Sequence, residues 1–180
     1  MVVVYLVRYT KYMPTQSKKP TRADRPDRKT AVTPSPTACH AASRLGRSIN
    51  RAIAQSSITP PDYRLLAHLA TGGELAATEL ADKLVVSRPT ITNSVDSLVS
   101  RGLVKKAGDP KDGRRVRISP TPLGLSALEE ADQLVSTRVS EILEPLGTAA
   151  ANNVIAALEL LHDALDIDRR QRHSRYMDHN

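Results

Sequence analysis

Residues 78–119, TELADKLVVSRPTITNSVDSLVSRGLVKKAGDPKDGRRVRIS, constrain the fold more than any other part of the chain. TELADKL has the spacing of a short helix capped by Thr78, with Leu80 and Leu84 inward. Only Val85, Val86 and Ser87 separate it from a second helix, expected over about 88–101 with Ser87 as N-cap and Pro89 in the first turn. On that helix Ile91, Val95, Leu98 and Val99 share one face, while Pro89, Thr90, Asn93, Ser97 and Ser100 lie opposite. The outward face is therefore small, uncharged and hydrogen-bonding. Gly102 ends the helix. LVKKA and RVRIS then flank GDPKDG, whose Pro, Asp and Gly content is turn chemistry, so a β-hairpin with a basic tip follows.

The flanking sequence reads as helix. HAASRLGRSINRAIAQ places Leu45, Ile49, Ala52 and Ile53 on one face, and TPPDYRLLAHLA follows with Thr59 as N-cap and Pro60 at the first helical position. Breaks fall at residues 56–58 and 71–73. After the hairpin, a helix from about Pro122 to Leu143 carries Leu125, Leu128, Val135, Val139 and Ile142 inward. A last one, beyond Pro145-Leu146-Gly147, carries Val154, Leu158, Leu161 and Leu165 inward. With no Trp or Phe, the core must be packed from Leu, Val, Ile and Ala, which favours helices. The expected class is mainly α with a small β-wing: a winged helix-turn-helix lobe whose second short helix fits the major groove, plus a terminal-helix dimerisation region.

The net charge of +7 is unevenly placed. Residues 1–37 hold 8 Lys and Arg against 2 Asp in a Pro- and Thr-rich stretch without apolar period, which reads as a disordered basic tail, either a loose DNA-binding arm or a solvated extension, with Met13 as a possible later start. Residues 101–117 hold Arg101, Lys105, Lys106, Lys111, Arg114, Arg115 and Arg117 against Asp109 and Asp112. A nearly neutral domain with one basic loop suggests a phosphate-facing edge on double-stranded DNA. The scarcity of aromatics disfavours readers of single strands, which stack bases on exposed rings. The apolar run Val2–Val7 is too short for a secretory core or a membrane span, so the expectation is a cytoplasmic protein with no membrane contact.

Residues 58–124 resemble the MarR family of bacterial transcription regulators through ITPPDYRLLAHLA, ELADKLVVSRPTITNSVDSLVSRGLV and DPKDGRRVRISPTPLG, taken in that order. With flanking helices the resemblance spans about 38–168, with a DNA-binding lobe at 58–121, dimerisation helices at 38–56 and 122–168, and a polar tail at 169–180. It implies a homodimer reading an inverted repeat, most often as a repressor, with a small-molecule effector or oxidant sensed near the dimer base. It places Ser87, Arg88, Thr90 and Asn93 on the recognition helix and Lys111, Arg114 and Arg115 on the wing, and it makes Asp109 and Asp112 candidates for holding a wing arginine by an ion pair. Ser97 joins the site through its place on the same outward face. Three positions depart from the family's usual residues: Asn93 and Lys111 stand where Arg is common, and Pro120 where Leu is common. Asn93 suits adenine better than guanine.

Other chemistry finds little footing. There is no GxSxG, P-loop or GxGxxG, and Glu129, Glu130, Glu141 and Glu144 read as a solvated exterior, so no catalysis is expected. His40, His68, His162, His173 and His179 lack metal-ligand spacing, and no cofactor is expected. His68 sits near the expected effector cleft but reads as structural. Cys39, the single cysteine, excludes an internal disulfide and reads as an unreactive or partly buried thiol. The competing reading is a winged-helix protein-interaction module without DNA binding. Against it stands the pairing of a basic wing with an uncharged helix face, which protein docking does not need.

Overall fold

The computed structural model describes residues 33–109 and 112–177. Helix α1 (Pro36–Ile53) starts beneath Ser35, whose hydroxyl accepts the Ala38 amide at 3.1 Å. It thus begins inside the stretch set down as tail, because Pro36 occupies the one helical turn where a missing N–H costs nothing. Helix α2 (Pro60–Gly72) opens on a reciprocal cap, with Asp62 N donating to Thr59 Oγ1 at 3.4 Å and Thr59 N donating to the Asp62 carboxylate at 3.1 Å.

A two-residue strand β1 (Leu75–Ala76) leads into α3 (Ala77–Leu84), and here Thr78 is not the cap. Pairing of Ala76 with Arg117 holds Ala76 extended, so the helix starts immediately after it and draws Thr78 inside. Glu79 Oε2 reaches back instead to accept the Ala76 amide at 2.7 Å. Val85 ends α3 with φ at +54°, the only non-glycine among the described residues in the left-handed region. Helix α4 (Arg88–Ser100) follows after the three-residue turn, with Ile91, Val95 and Leu98 buried. Val99 is 38% exposed, a departure from the expected face: it lies about a ninth of a turn beyond Val95 and meets solvent at the edge of the buried stripe. Gly102, at φ +70°, closes the helix, and the Leu103 amide bonds back to the Leu98 carbonyl at 2.9 Å.

The hairpin pairs β2 (Val104–Asp109) with β3 (Asp112–Pro120), both longer than expected, and β3 also pairs β1, giving the order β1-β3-β2. The register runs from Val104 opposite Pro120 to Gly108 opposite Val116, then shifts so that Asp109 faces Asp112. Pro120 sits at the last rung, where its missing N–H is tolerated. Helix α5 (Pro122–Leu143) is capped by Thr121, and Gly124 in its first turn lies so close to β2 that a Cβ there would meet the Leu103 carbonyl oxygen at 2.0 Å. Of its inward residues Leu128 is buried; Leu125, Val135, Val139 and Ile142 are half-buried. A 3-10 turn (Glu144–Leu146) and Gly147, φ +72°, redirect the chain into α6 (Gly147–Met177), which runs on as helix through residues set down as polar tail.

One core joins α2, α3, α4, the wing and the start of α5, with Leu66, Leu69, Leu80, Leu98 and Leu128 fully buried. None of the described side chains of α6 is buried. Val154 and Leu158 are half-buried, but Leu161 and Leu165, expected inward, are 48% and 57% exposed. Among the described residues nothing buries this apolar row.

Candidate nucleic-acid interface

Helix α4 buries one face against the lobe and presents the other to solvent, and the division follows the expected one apart from Val99. Ser87, Arg88, Thr90, Asn93 and Ser97 are all exposed. Ser87 Oγ and Thr90 Oγ1 lie 2.7 Å apart, and Ser87 Oγ also accepts the Thr90 amide at 3.3 Å, so the first turn is held rigid by its own hydroxyls. Thr92 Oγ1 donates to the Arg88 carbonyl at 3.0 Å. Thr90, Asn93 and Ser97 follow one another along one side of the helix, where an amide and two hydroxyls can donate and accept within about a helix's width. The row itself carries no charge; Arg88, exposed at the start of the helix, lies round the helix from it.

The wing corrects the charge reading. Arg101 is not part of the loop: it is the C-cap of α4, where Nη1 meets Asp62 Oδ2 at 2.8 Å and Nη2 donates to the Ser57 carbonyl at 2.7 Å. Lys106 is ion-paired to Asp96 across α4 and β2, and Arg117 Nη1 lies 3.2 Å from Glu79 Oε2. Three of the seven basic residues counted at 101–117 are therefore answered by acids of the lobe, which brace the hairpin and the end of α4. Lys105 is exposed on β2. Arg114 and Arg115 lie on β3, Asp109 and Asp112 are register partners at the hairpin's tip, and Lys111 and the side chains of these four lie outside the described residues.

Among the remaining candidates, Cys39 is exposed on the first turns of α1, so the expectation of partial burial falls. His68 is half-buried on α2, and His40 and His162 are exposed. Among the described residues no three of His, Cys, Asp and Glu gather as a metal cluster, and no helix is long and apolar enough to cross a membrane. Residue-by-residue reading missed the polar contacts that tie the lobe to the long helices: Tyr63 Oη donates to Asp132 Oδ1 at 2.6 Å, and Ser57 Oγ lies 3.0 Å from Glu130 Oε2. The TPPD cap was a visible signal for Asp62, but its pairing with Arg101, distant in sequence, was not.

The family model described as MarR family matches residues 56–115. The HTH-type transcriptional regulator FarR of Neisseria gonorrhoeae is 31% identical over 115 residues, covering 62% of this chain and 79% of that protein. A mutant of MarR from E. coli matches in structure with a TM-score of 0.61 at 25% identity, over 76% of this chain and 98% of that one. The PcaV transcriptional regulator of Streptomyces coelicolor, solved in complex with its natural ligand, matches with a TM-score of 0.54 at 25% identity, over 76% and 99%. The fold thus recurs in a protein related to this one by sequence, a relative is 31% identical along most of its own length, and the chain belongs to the MarR family of transcriptional regulators.

Proposed function

We propose that the protein is a cytoplasmic homodimeric repressor that binds an inverted-repeat operator and is released by a small-molecule effector. The observation that carries DNA reading is the outward row Thr90, Asn93 and Ser97 on a helix whose opposite face is locked into the core. Such a row offers neutral donors and acceptors to base edges, while Arg88, Lys111, Arg114 and Arg115 supply phosphate contacts from the helix start and the wing. Asp109 and Asp112, whose side chains lie outside the described residues, are assigned in this proposal to holding one of those arginines by an ion pair.

Dimerisation is supported by the uncovered apolar row of α6. Two lobes related by a twofold axis fit half-sites about 10 to 11 base pairs apart. Repression follows from size: a dimer covering both half-sites excludes polymerase from the same DNA. The effector is supported by the crystallised PcaV, which holds its natural ligand.

A gel shift and footprint on the DNA flanking the protein's own gene test the proposal. Two protected half-sites on one face of the duplex, lost on adding an effector found by screening small-molecule fractions, are expected. No shift even at low salt would favour a winged helix that docks protein, and a single protected half-site would remove the dimer.

A further inference from the structure

The C-terminal end of α4 is held from two sides. On one, the Arg101 guanidinium spans the Asp62 carboxylate at 2.8 Å and the Ser57 carbonyl at 2.7 Å. Asp62 is itself buried and already fixed by the Thr59 cap, and Ser57 belongs to the turn between α1 and α2, where its hydroxyl meets Glu130 of α5. On the other side, Thr121 Oγ1 donates to the Gly102 carbonyl at 2.6 Å, Thr121 N donates to the Leu103 carbonyl at 3.0 Å, and Gly124 packs against the same peptide. The end of the reading helix is thereby joined to the turn after α1 and to the first turn of α5.

The far end of α4 is packed on the core through Ile91 and capped by Ser87, but among the described residues no side-chain hydrogen bond ties it to another element. Its 13 residues make a lever of about 20 Å. A tilt of roughly 5° about the held end would carry Arg88 and Thr90 by about 1.7 Å, more than a hydrogen bond to a base edge tolerates. A forked guanidinium suits this task because two acceptors on different segments fix direction as well as distance.

We propose that Arg101 is a positioning residue for DNA reading: it sets the angle of α4 to the long helices, and so the half-site spacing the dimer accepts, and takes no part in gripping phosphate. This rests on the DNA-binding function proposed above. Its sequence neighbours in the basic segment suggest the opposite role, so the two make opposite forecasts.

The test uses the full chain and its variants Arg101→Gln, Arg101→Lys and Asp62→Asn, titrated against the footprinted operator and against copies with the half-sites moved by one base pair, across a salt series. Asp62→Asn is decisive in sign. It removes a negative charge from the lobe, so electrostatics alone would tighten binding. Positioning requires it to weaken binding by about tenfold, comparable to one mismatched base pair. All three variants should also lose much of the preference for native spacing while the slope of log K against log salt stays at the wild-type value. Arg101→Lys should resemble Arg101→Gln, because one ammonium keeps the charge but not the fork. It leaves the Thr59 cap intact, and it carries the test should Asp62→Asn fail to fold. A slope reduced by about one in Arg101→Gln would mean a phosphate contact and overturn the proposal. Tighter binding by Asp62→Asn, or unchanged spacing preference in folded variants, would do the same. A wild-type chain that binds no operator would instead bring down the proposed function, and this inference with it.

Discussion

Asn93 is exposed midway along the outward row of α4, and its side-chain amide both donates and accepts. That pairing matches the N6 and N7 edge of adenine, so Asn93→Ala is expected to relax preference at one base pair of each half-site by about 1 to 3 kcal/mol. The salt slope should not move, since no charge is removed; competition among single-base operator variants measures both. Val85 gives a prediction of a different kind. A left-handed backbone costs a residue with a Cβ roughly 1–2 kcal/mol, glycine forfeits roughly 0.5–1 kcal/mol in chain entropy, and the Val85 side chain is 78% exposed. Val85→Gly should therefore stabilise the lobe by up to about 1 kcal/mol, a rise of a few degrees in Tm by calorimetry. A lower Tm would reveal packing that the exposure hides. At this scale the sequence was legible where the chemistry is local: Ser87 and Thr59 cap as their positions require, and Ile91, Val95 and Leu98 are buried as their spacing requires. Arg101 was not, because a basic residue beside a basic loop carries no local mark of a partner on α2.

Among the elements, the proposed function divides the work between the wing and α4, and their variants should separate. Arg114→Ala with Arg115→Ala should weaken binding to every sequence and reduce the salt slope by about two, one for each arginine that meets phosphate. Fluorescence anisotropy on operator and random duplexes shows this; a loss confined to the operator would move base reading into the wing. Lys106 serves as the contrast, since its ammonium is already paired with Asp96 of α4 although both side chains are exposed. Helix boundaries were legible at Thr59, Ser87, Gly102 and Gly147, but not at Ser35, which caps α1 inside the stretch expected to be tail. The start of α3 was not, because it is dictated by the pairing of Ala76 with a strand about forty residues later. The period of Val154, Leu158, Leu161 and Leu165 was plain, yet no feature of the sequence said that the face would lie uncovered within one chain.

For the whole molecule, the lobe has its own closed core while α6 has none, and the dimer proposed above would complete the protein. Sedimentation is expected to give twice the chain mass at micromolar concentration, and Tm should climb by a few degrees over a hundredfold rise in protein, as mass action requires when folding and association are linked. A Tm indifferent to concentration, with a single-chain mass, would remove the dimer and the inverted repeat together. The bare row on α6 then has a consequence for the protein's lifetime. A chain without the proposed mate would show water this apolar ribbon, including Leu165 at 57% exposure, of the kind that chaperones and proteases seize. If the proposed dimer forms, clearance would fall on solitary chains and spare paired ones. For the proposed dimer, parted chains re-pair more slowly as the population thins, so once synthesis stops a growing share would stand open to clearance, and the regulator would be lost faster than dilution by growth alone would remove it.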